Sequence, residues 1–406
     1  MSAFAAVTTG KGTGAIATIQ LFGDSAEAIL KKIFRLVGKK PAIFKTGKIL
    51  LGIISDKTET IDQVTIGCEG PDNFAINCHG NPLIVADIMQ LLQKNGAELL
   101  TAEEFLTRIF SIEKSSNTIA LEAKLALLQA KTIQGTKIIV NQVDVGLTKK
   151  IEEWLHKKIS LEKIKTDTEM IIKDSQTAKL IIFGCTVVLS GPPNTGKSTL
   201  LNLLAGRQKA IVTDIAGTTR DWVSAQCRIG PLFAEFIDTA GLAACPPKPR
   251  RRWETPEDTI AKISQQKSVE MLEKADLVLL VLDNNQPVVS LSNPTDNQLD
   301  EDVLEKIAEK KIVTVLNKCD LPAKFNADKL PENLANTVKI SAKFGTGIEN
   351  LLEKIQIVCG VADFDFKTAV CFTPRQENLL KQLQKVGSKQ QSLSIITELL
   401  KAPLSV

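Results

Sequence analysis

The sequence predicts a multidomain α/β and α protein: a small α+β domain, then a helical domain into which a doubly wound α/β block is inserted. Three observations carry this expectation. Up to about residue 110, short apolar runs (AIATIQLF, GKILLGIIS, QVTIGC, NFAINCH) alternate with Gly, Asn and Asp turn residues. Residues 117–178 contain no proline and are dominated by alanine, leucine, lysine and glutamate. Beyond Lys179, near-continuous apolar runs are separated by helical segments, the pattern of parallel strands covered on both faces.

Taken in order, the first domain spans 1–115. Its strands are interrupted by helix-like stretches at Ser25–Leu36 and Pro82–Gln93. The first half of the helical domain spans 116–178, where apolar residues recur at three- and four-residue spacing in IALEAKLALLQAKT. The segment Ile151–Lys158 is amphipathic, so Trp154 is expected to pack a helical bundle and His156 to face solvent. In the block 179–362, the runs LIIFGCTVVLSG, LFAEFIDTAG, ADLVLLVLD and KIVTVLNK read as its strands. After Pro374, RQENLLKQLQKV and LSIITELLK read as helices, which makes 363–406 a shortened second half of the helical domain.

Composition bounds the function. Of 406 residues, 44% are hydrophobic and 24% charged, and the formal net charge is +4, too small to demand nucleic acid or an anionic membrane. The eight cysteines stand singly with no CxxC pair, so neither a zinc ribbon nor a thioredoxin-type site is implied. They read as reduced thiols of a cytoplasmic protein. No run approaches the ~20 apolar residues of a membrane-spanning helix, and MSAFAAVTTGKGTG lacks the pattern of a signal peptide.

The decisive motif is Gly191-Pro-Pro-Asn-Thr-Gly-Lys-Ser198, set between the strand TVVLS and the helix STLLNLLAG. Glycines let successive N–H groups of such a Walker A loop turn toward a β-phosphate, where the helix N-terminus adds a favourable dipole. Asn194, Thr195, Gly196, Lys197, Ser198 and Thr199 are therefore nucleotide-binding candidates, with Lys197 reaching the β/γ-phosphates and Ser198 ligating Mg²⁺. Companion motifs follow in the order such a fold demands. Asp238, Thr239, Ala240 and Gly241 end a strand; Asp238 supports Mg²⁺ and the Gly241 N–H meets the γ-phosphate. Asn317, Lys318 and Asp320 end another, and the Asp320 carboxylate suits the N1–H and 2-amino group of guanine, which adenine does not offer. Ser341, Ala342 and Lys343 close over the base edge. Each string alone is weak, but together they predict a Ras-like P-loop domain that binds GTP and GDP. Between the first two lie Thr213, Asp214, Ile215, Ala216, Gly217, Thr218 and Thr219, and Thr219 is the natural switch threonine, closing on Mg²⁺ and γ-phosphate. Leu242 stands where Ras-type enzymes place a water-orienting glutamine, so hydrolysis needs another route.

These motifs, with GKGTGAIATIQLFG, NCHGNPLIVADIMQLLQKNGAELLTAEEFLTRIF and ISAKFGTGIENLLEKI, resemble the tRNA uridine-modification GTPases called MnmE or TrmE, from about Ala5 to Glu377. The resemblance implies a TrmE-type G domain at 179–362 and an N-terminal domain at 1–115 that is folate-binding-like and dimerises. It implies K⁺ held by Asn194, Thr213, Ile215 and Thr218, acting where an arginine finger would. It also implies a homodimer, a partner resembling MnmG (GidA), tRNA as the object of modification, and no membrane. Three departures stand against the family pattern. The chain ends at Val406 without the Cys-Ile-Gly-Lys motif, as a divergent paralogue would. Of the folate residues only Lys114 is retained, with Gln20 in place of arginine and Ala75 in place of glutamate, which makes folate doubtful. Ala261 falls where the family has its water-positioning glutamate, leaving Glu254, Glu257 or Asp258 as substitutes, with Glu257 set beside Lys197, Thr219 and Gly241 as a catalytic candidate.

Other features carry two readings. Lys248–Arg252 with Trp253 fits RNA phosphates and a stacked base, or a solvated loop. His79 reads as a turn-holding residue, and Cys78 and Cys319 as buried inert thiols. The leading expectation is a GTPase in tRNA wobble-uridine modification. The alternatives are a GTP-dependent switch or assembly protein without that chemistry, and a pseudo-GTPase that binds without hydrolysing.

Overall fold

A computed structural model of the chain describes residues 3–10, 14–38, 41–113, 117–156, 159–207, 224–238, 270–287, 307–327 and 330–401. The described residues fall into two compact units, one of 3–128 with 397–401 and one of 129–396.

The first unit is built on seven strands: β1 (Phe4–Val7), β2 (Ile16–Phe22), β3 (Phe34–Leu36), β4 (Ile49–Asp56), β5 (Glu59–Cys68), β6 (Asn73–His79) and β7 (Glu98–Leu99), in the spatial order β3-β4-β5-β6-β2-β1-β7. All pairs are antiparallel except β1 with β7. Alternation sorts the residues of β2: Ala17, Ile19 and Leu21 enter the core, whereas Thr18 and Gln20 stay half-buried on the opposite side. Two helices, α1 (Ala26–Ile33) and α2 (Pro82–Lys94), add Ile29, Leu30, Ile33, Ile88, Leu91 and Leu92 to that core. Asn81 caps α2 by accepting from Leu83 N at 2.9 Å, and Pro82 follows where its missing N–H costs nothing. The expected helix at Ser25–Leu36 is shorter than its sequence pattern. Phe34 turns extended and pairs with Ile54, and its ring is buried there. Two further helices, α3 (Ala102–Glu113) and α4 (Thr118–Leu127), complete the unit. His79 donates both its backbone N–H (2.8 Å) and Nδ1 (2.7 Å) to buried Asp62, which supports its reading as a turn-holding residue.

The second unit begins with α5 (Ile133–Asp144), α6 (Leu147–His156) and α7 (Leu161–Phe183). Trp154 is buried and donates Nε1 to Asp167 at 3.3 Å, as its amphipathic position predicts, and His156 is exposed. Asp167 also pairs with Lys150 (2.9 Å) and Lys163 (3.0 Å). A six-stranded sheet follows: β8 (Cys185–Ser190), β9 (Ser224–Ile229), β10 (Leu232–Asp238), β11 (Leu277–Asp283), β12 (Lys311–Asn317) and β13 (Thr337–Lys339), ordered β13-β12-β11-β8-β10-β9. Five strands are parallel. β9, which the sequence pattern did not single out, pairs antiparallel with β10 as an edge hairpin. The buried residues of β9 are Ala225, Cys227 and Ile229, and the first two are too small to advertise an alternating strand.

The sheet is flanked by α8 (Lys197–Arg207) and α9 (Ile348–Cys359) and followed by α10 (Pro374–Lys385) and α11 (Lys389–Lys401). The α10 helix packs on α7, with the Glu377 carboxylate taking the ammonium groups of Lys179 and Lys381. Between α9 and α10 the chain is fastened to α5 by one fully buried side chain. Gln142 Nε2 donates to Ile138 O and Thr368 O (both 3.1 Å), and its Oε1 accepts from Leu147 N and Val370 N (both 2.9 Å).

Candidate nucleotide site

The carboxyl ends of β8, β10, β11 and β12 lie side by side, the place where an open parallel sheet binds its ligand. The loop after β8 is shaped by its glycines. Gly191 has φ +134, and a Cβ there would lie 2.2 Å from Val281 O of the neighbouring strand. Gly196 has φ +94, and a Cβ would lie 2.3 Å from Asn317 Nδ2. Alanine at either position meets both a strained backbone and an occupied space. Asn194 is exposed at the loop's apex with φ 62, the left-handed region asparagine tolerates.

Lys197 opens α8, and its side chain turns back into the loop. It is 6% exposed and donates to Gly191 O (2.9 Å) and Pro192 O (2.7 Å). Burial pulls the pKa of this ammonium down, with Asp238 opposing. Thr195 Oγ1 donates to Pro192 O at 3.0 Å, which tightens the same turn. Next along the helix, exposed Ser198 donates Oγ to Asp238 Oδ2 at 2.6 Å, and Thr199 is exposed beside it. The other carboxylate oxygen, Asp238 Oδ1, is buried and has no partner among the described residues. A hydroxyl and a buried carboxylate with a spare acceptor are the hard oxygen donors that Mg²⁺ prefers, so these two residues fit that ion.

The base end is assembled from β12 and the loop after β13. Asn317 is 2% exposed and bridges both halves of the site: Nδ2 donates to Thr195 O (2.7 Å) and Oδ1 accepts from Ala342 N (2.9 Å). Asp320 is exposed and accepts from buried Ser341 Oγ at 2.6 Å. That hydrogen bond holds the Asp320 carboxyl below the usual aspartate range, with Lys343 and Lys318 reinforcing it. The group is therefore an anion at neutral pH, ready to accept from N–H donors. Lys343 is exposed, its ammonium 5.1 Å from the Phe344 ring centroid.

Of the predicted nucleotide residues, Asn194, Thr195, Gly196, Lys197, Ser198, Thr199, Asp238, Asn317, Lys318, Asp320, Ser341, Ala342 and Lys343 meet at this edge of one sheet. Thr213, Asp214, Ile215, Ala216, Gly217, Thr218 and Thr219 lie outside the described residues, as do Thr239, Ala240, Gly241, Glu254, Glu257, Asp258, Ala261, Lys114 and the Lys248–Trp253 run. Cys319 is half-buried rather than buried, since its strand has ended. Cys78 is buried, and burial, then Asp62, pushes its thiol up to about 11. Two residues absent from the sequence reading belong to the site, Asp283 and Asn284 at the end of β11. Their signal was an apolar run closing on an acid at a parallel strand's carboxyl end.

Comparison with known proteins matches residues 3–114 to the GTP-binding protein TrmE N-terminus and residues 186–318 to the 50S ribosome-binding GTPase family. The tRNA modification GTPase MnmE of Endomicrobium trichonymphae is 30% identical over 99% of this chain and 93% of its own. The chain belongs to the MnmE family of tRNA modification GTPases. The MnmE of Ligilactobacillus salivarius is 32% identical, covering 94% of this chain and 86% of its own, and that of Thermotoga maritima is 32% identical, covering 87% and 82%. As in the MnmE family, a TrmE-type N-terminal domain, helical segments and a P-loop GTPase domain make up this chain.

One departure from the expected MnmE pattern gains a structural meaning. Gln20 and Ala75 stand directly opposite each other in the β2–β6 pairing. The two residues thus form a single cross-strand pair. Gln20 Nε2 turns instead to Glu69, 3.4 Å from each carboxylate oxygen.

Proposed function

We propose that this chain binds GTP with Mg²⁺, hydrolyses it to GDP and phosphate, and uses that cycle in tRNA wobble-uridine modification. The carrying observation is Asn317, whose two buried hydrogen bonds join the phosphate loop and the base-edge loop into one frame. In this reading the loop amides and Lys197 bind the β- and γ-phosphates, and Asp320 reads guanine. Ser198 and Asp238 hold Mg²⁺, which when bound offsets charge on the phosphate oxygens. Thr219 and Gly241 close on the γ-phosphate, and Glu257 orients water. K⁺ at Asn194, Thr213, Ile215 and Thr218 supplies the positive charge of an arginine finger. The active form is a cytoplasmic homodimer working with an MnmG-like partner. Among the described residues no helix is long and apolar enough to cross a membrane.

The Gln20–Ala75 pair argues against tight folate binding, and it is the one observation that favours a GTP-dependent switch without tRNA chemistry. Similarity over nearly the full chain favours the modification enzyme. Single-turnover hydrolysis in K⁺ against Na⁺, with ATP as control, tests the enzyme: faster GTP cleavage in K⁺ and none of ATP is expected. GTP binding without cleavage in either salt would leave a pseudo-GTPase. Wobble-uridine mass spectrometry of tRNA from cells lacking the gene tests the pathway, and unchanged nucleosides would favour the switch.

A further inference from the structure

The guanine-reading motif is held from a strand that contributes nothing to any recognised nucleotide motif. All seven residues of β11 are buried, and the strand ends with Asp283 opposite Asn317 in parallel register. The Asp283 side chain is 6% exposed, and both of its oxygens are committed: Oδ1 accepts from Asn285 N (2.9 Å) and Oδ2 takes Lys318 Nζ (2.7 Å). Next to it, Asn284 N donates to Asn317 O at 2.9 Å, so β11 grips two successive residues of the motif. Lys318 has φ 64, an unusual backbone for a long side chain, and its ammonium lies two residues from the base-reading carboxylate. Asp320 already feels that charge, which helps hold it ionised.

We propose that Asp283 is a positioning residue for guanine recognition: it fastens the Lys318 ammonium and so keeps Asp320 free for the base. The inference rests on the guanine-site reading above. The physical argument is competition. Lys318 is one-third exposed and adjacent in sequence to Cys319 and Asp320. A released ammonium on four methylenes reaches a carboxylate two residues away, and a carboxylate neutralised by lysine is a poorer acceptor for guanine N1–H and its 2-amino group. Asp283 removes that competitor with a buried carboxylate whose two oxygens already hold partners. It also orders Lys318 in advance, so less side-chain freedom is lost on binding. Loss of the tether acts chiefly on nucleotide dwell time, since affinity changes within one site fall mostly on dissociation.

The test is GDP release and affinity, read with a fluorescent GDP, for wild type, Asp283→Asn, Lys318→Met and the double variant, each with a thermal melt without nucleotide. Asp283→Asn is expected to weaken GDP binding about tenfold or more, roughly 1.4 kcal/mol, with most of the change in release. In the Lys318→Met background the same substitution should change affinity less than about twofold, because the residue it acts through is gone. A wild-type affinity in Asp283→Asn, or an equal tenfold loss on top of Lys318→Met, overturns the inference. If Asp283→Asn yields no folded protein, Lys318→Met alone decides: GDP release within about twofold of wild type supports the tether, because competitor and tether are lost together, and release about tenfold faster overturns it. Wild-type protein that fails to prefer GDP over ADP overturns the guanine site itself, whereas normal preference with an indifferent Asp283→Asn overturns only the tether.

Discussion

Replacing Asn317 by alanine removes a buried side chain that joins the two ends of the nucleotide site. Thr195, Asn317 and Ala342 are all at least 95% buried, so water does not replace the lost partners. An intact neutral hydrogen bond contributes about 0.5–1.5 kcal/mol, but a buried group stranded by truncation costs about 1–3 kcal/mol. Truncation strands the carbonyl of Thr195, bonded at 2.7 Å, and the N–H of Ala342, bonded at 2.9 Å. The sum is about 2–6 kcal/mol, a large part of the ~5–15 kcal/mol that holds a typical domain folded. The assay is urea denaturation of nucleotide-free protein, expected to show a lower midpoint at unchanged slope. A companion, Asn317→Asp, separates the two ends. It keeps an acceptor for Ala342 N but turns an anion toward Thr195 O, so GDP affinity should fall more steeply than with alanine. Stability within about 0.5 kcal/mol of wild type, the scatter of surface substitutions, would refute the bridging argument.

Three further outcomes are expected. Gln142→Ala strands three backbone groups, Thr368 O, Leu147 N and Val370 N, and should cost about 3–5 kcal/mol; proteolysis of the 361–372 segment should accelerate, and a wild-type cleavage rate would contradict the fastening described for it. Gly191→Ala places a methyl group 2.2 Å from Val281 O at φ +134, so a loss of about 1–3 kcal/mol with weakened GDP binding is expected by calorimetry. Asp167 behaves differently. Burial would raise its pKa, but hydrogen bonds from Lys150, Lys163 and Trp154 outweigh burial and lower it below 3.8. A carboxylate with a depressed folded pKa stabilises fully above its unfolded value and loses that contribution as pH falls through the folded one. Asp167→Asn should therefore lower the melting temperature near pH 7 and matter progressively less below pH 3.8, and a pH-independent deficit would count against the ion pairs.

Much of the nucleotide site was legible because its chemistry is local. A loop that bares its amides, a lysine at a helix start and an aspartate beyond a strand are each encoded within a few consecutive residues. Lys197, Ser198, Asp238, Asn317, Asp320 and Ser341 converge as their order along the chain implies. Periodicity likewise disclosed α4, α6 and the buried runs of β8, β11 and β12, but it read Leu180–Phe183 into a strand where they form the end of α7. It misjudged Phe34–Leu36, where apolar residues suit a helix or a strand equally and pairing with β4 decides. It passed over β9, whose inward residues Ala225 and Cys227 are small.

What the sequence alone determined is the kind of molecule: a P-loop GTPase-type domain inserted between helical segments and preceded by an α+β domain. What only the tertiary structure decided is which distant side chains serve one another. Asp283 and Lys318 are 35 residues apart, and only the parallel register of β11 and β12 sets their carboxylate and ammonium face to face. Gln142 finds Thr368 and Val370 more than 220 residues away, and Gln20 finds Ala75 across an antiparallel pair. Short motifs carry their own geometry because bonded neighbours constrain it. A hydrogen bond between remote residues leaves no local pattern, since its partners are selected by register and packing rather than by spacing along the chain.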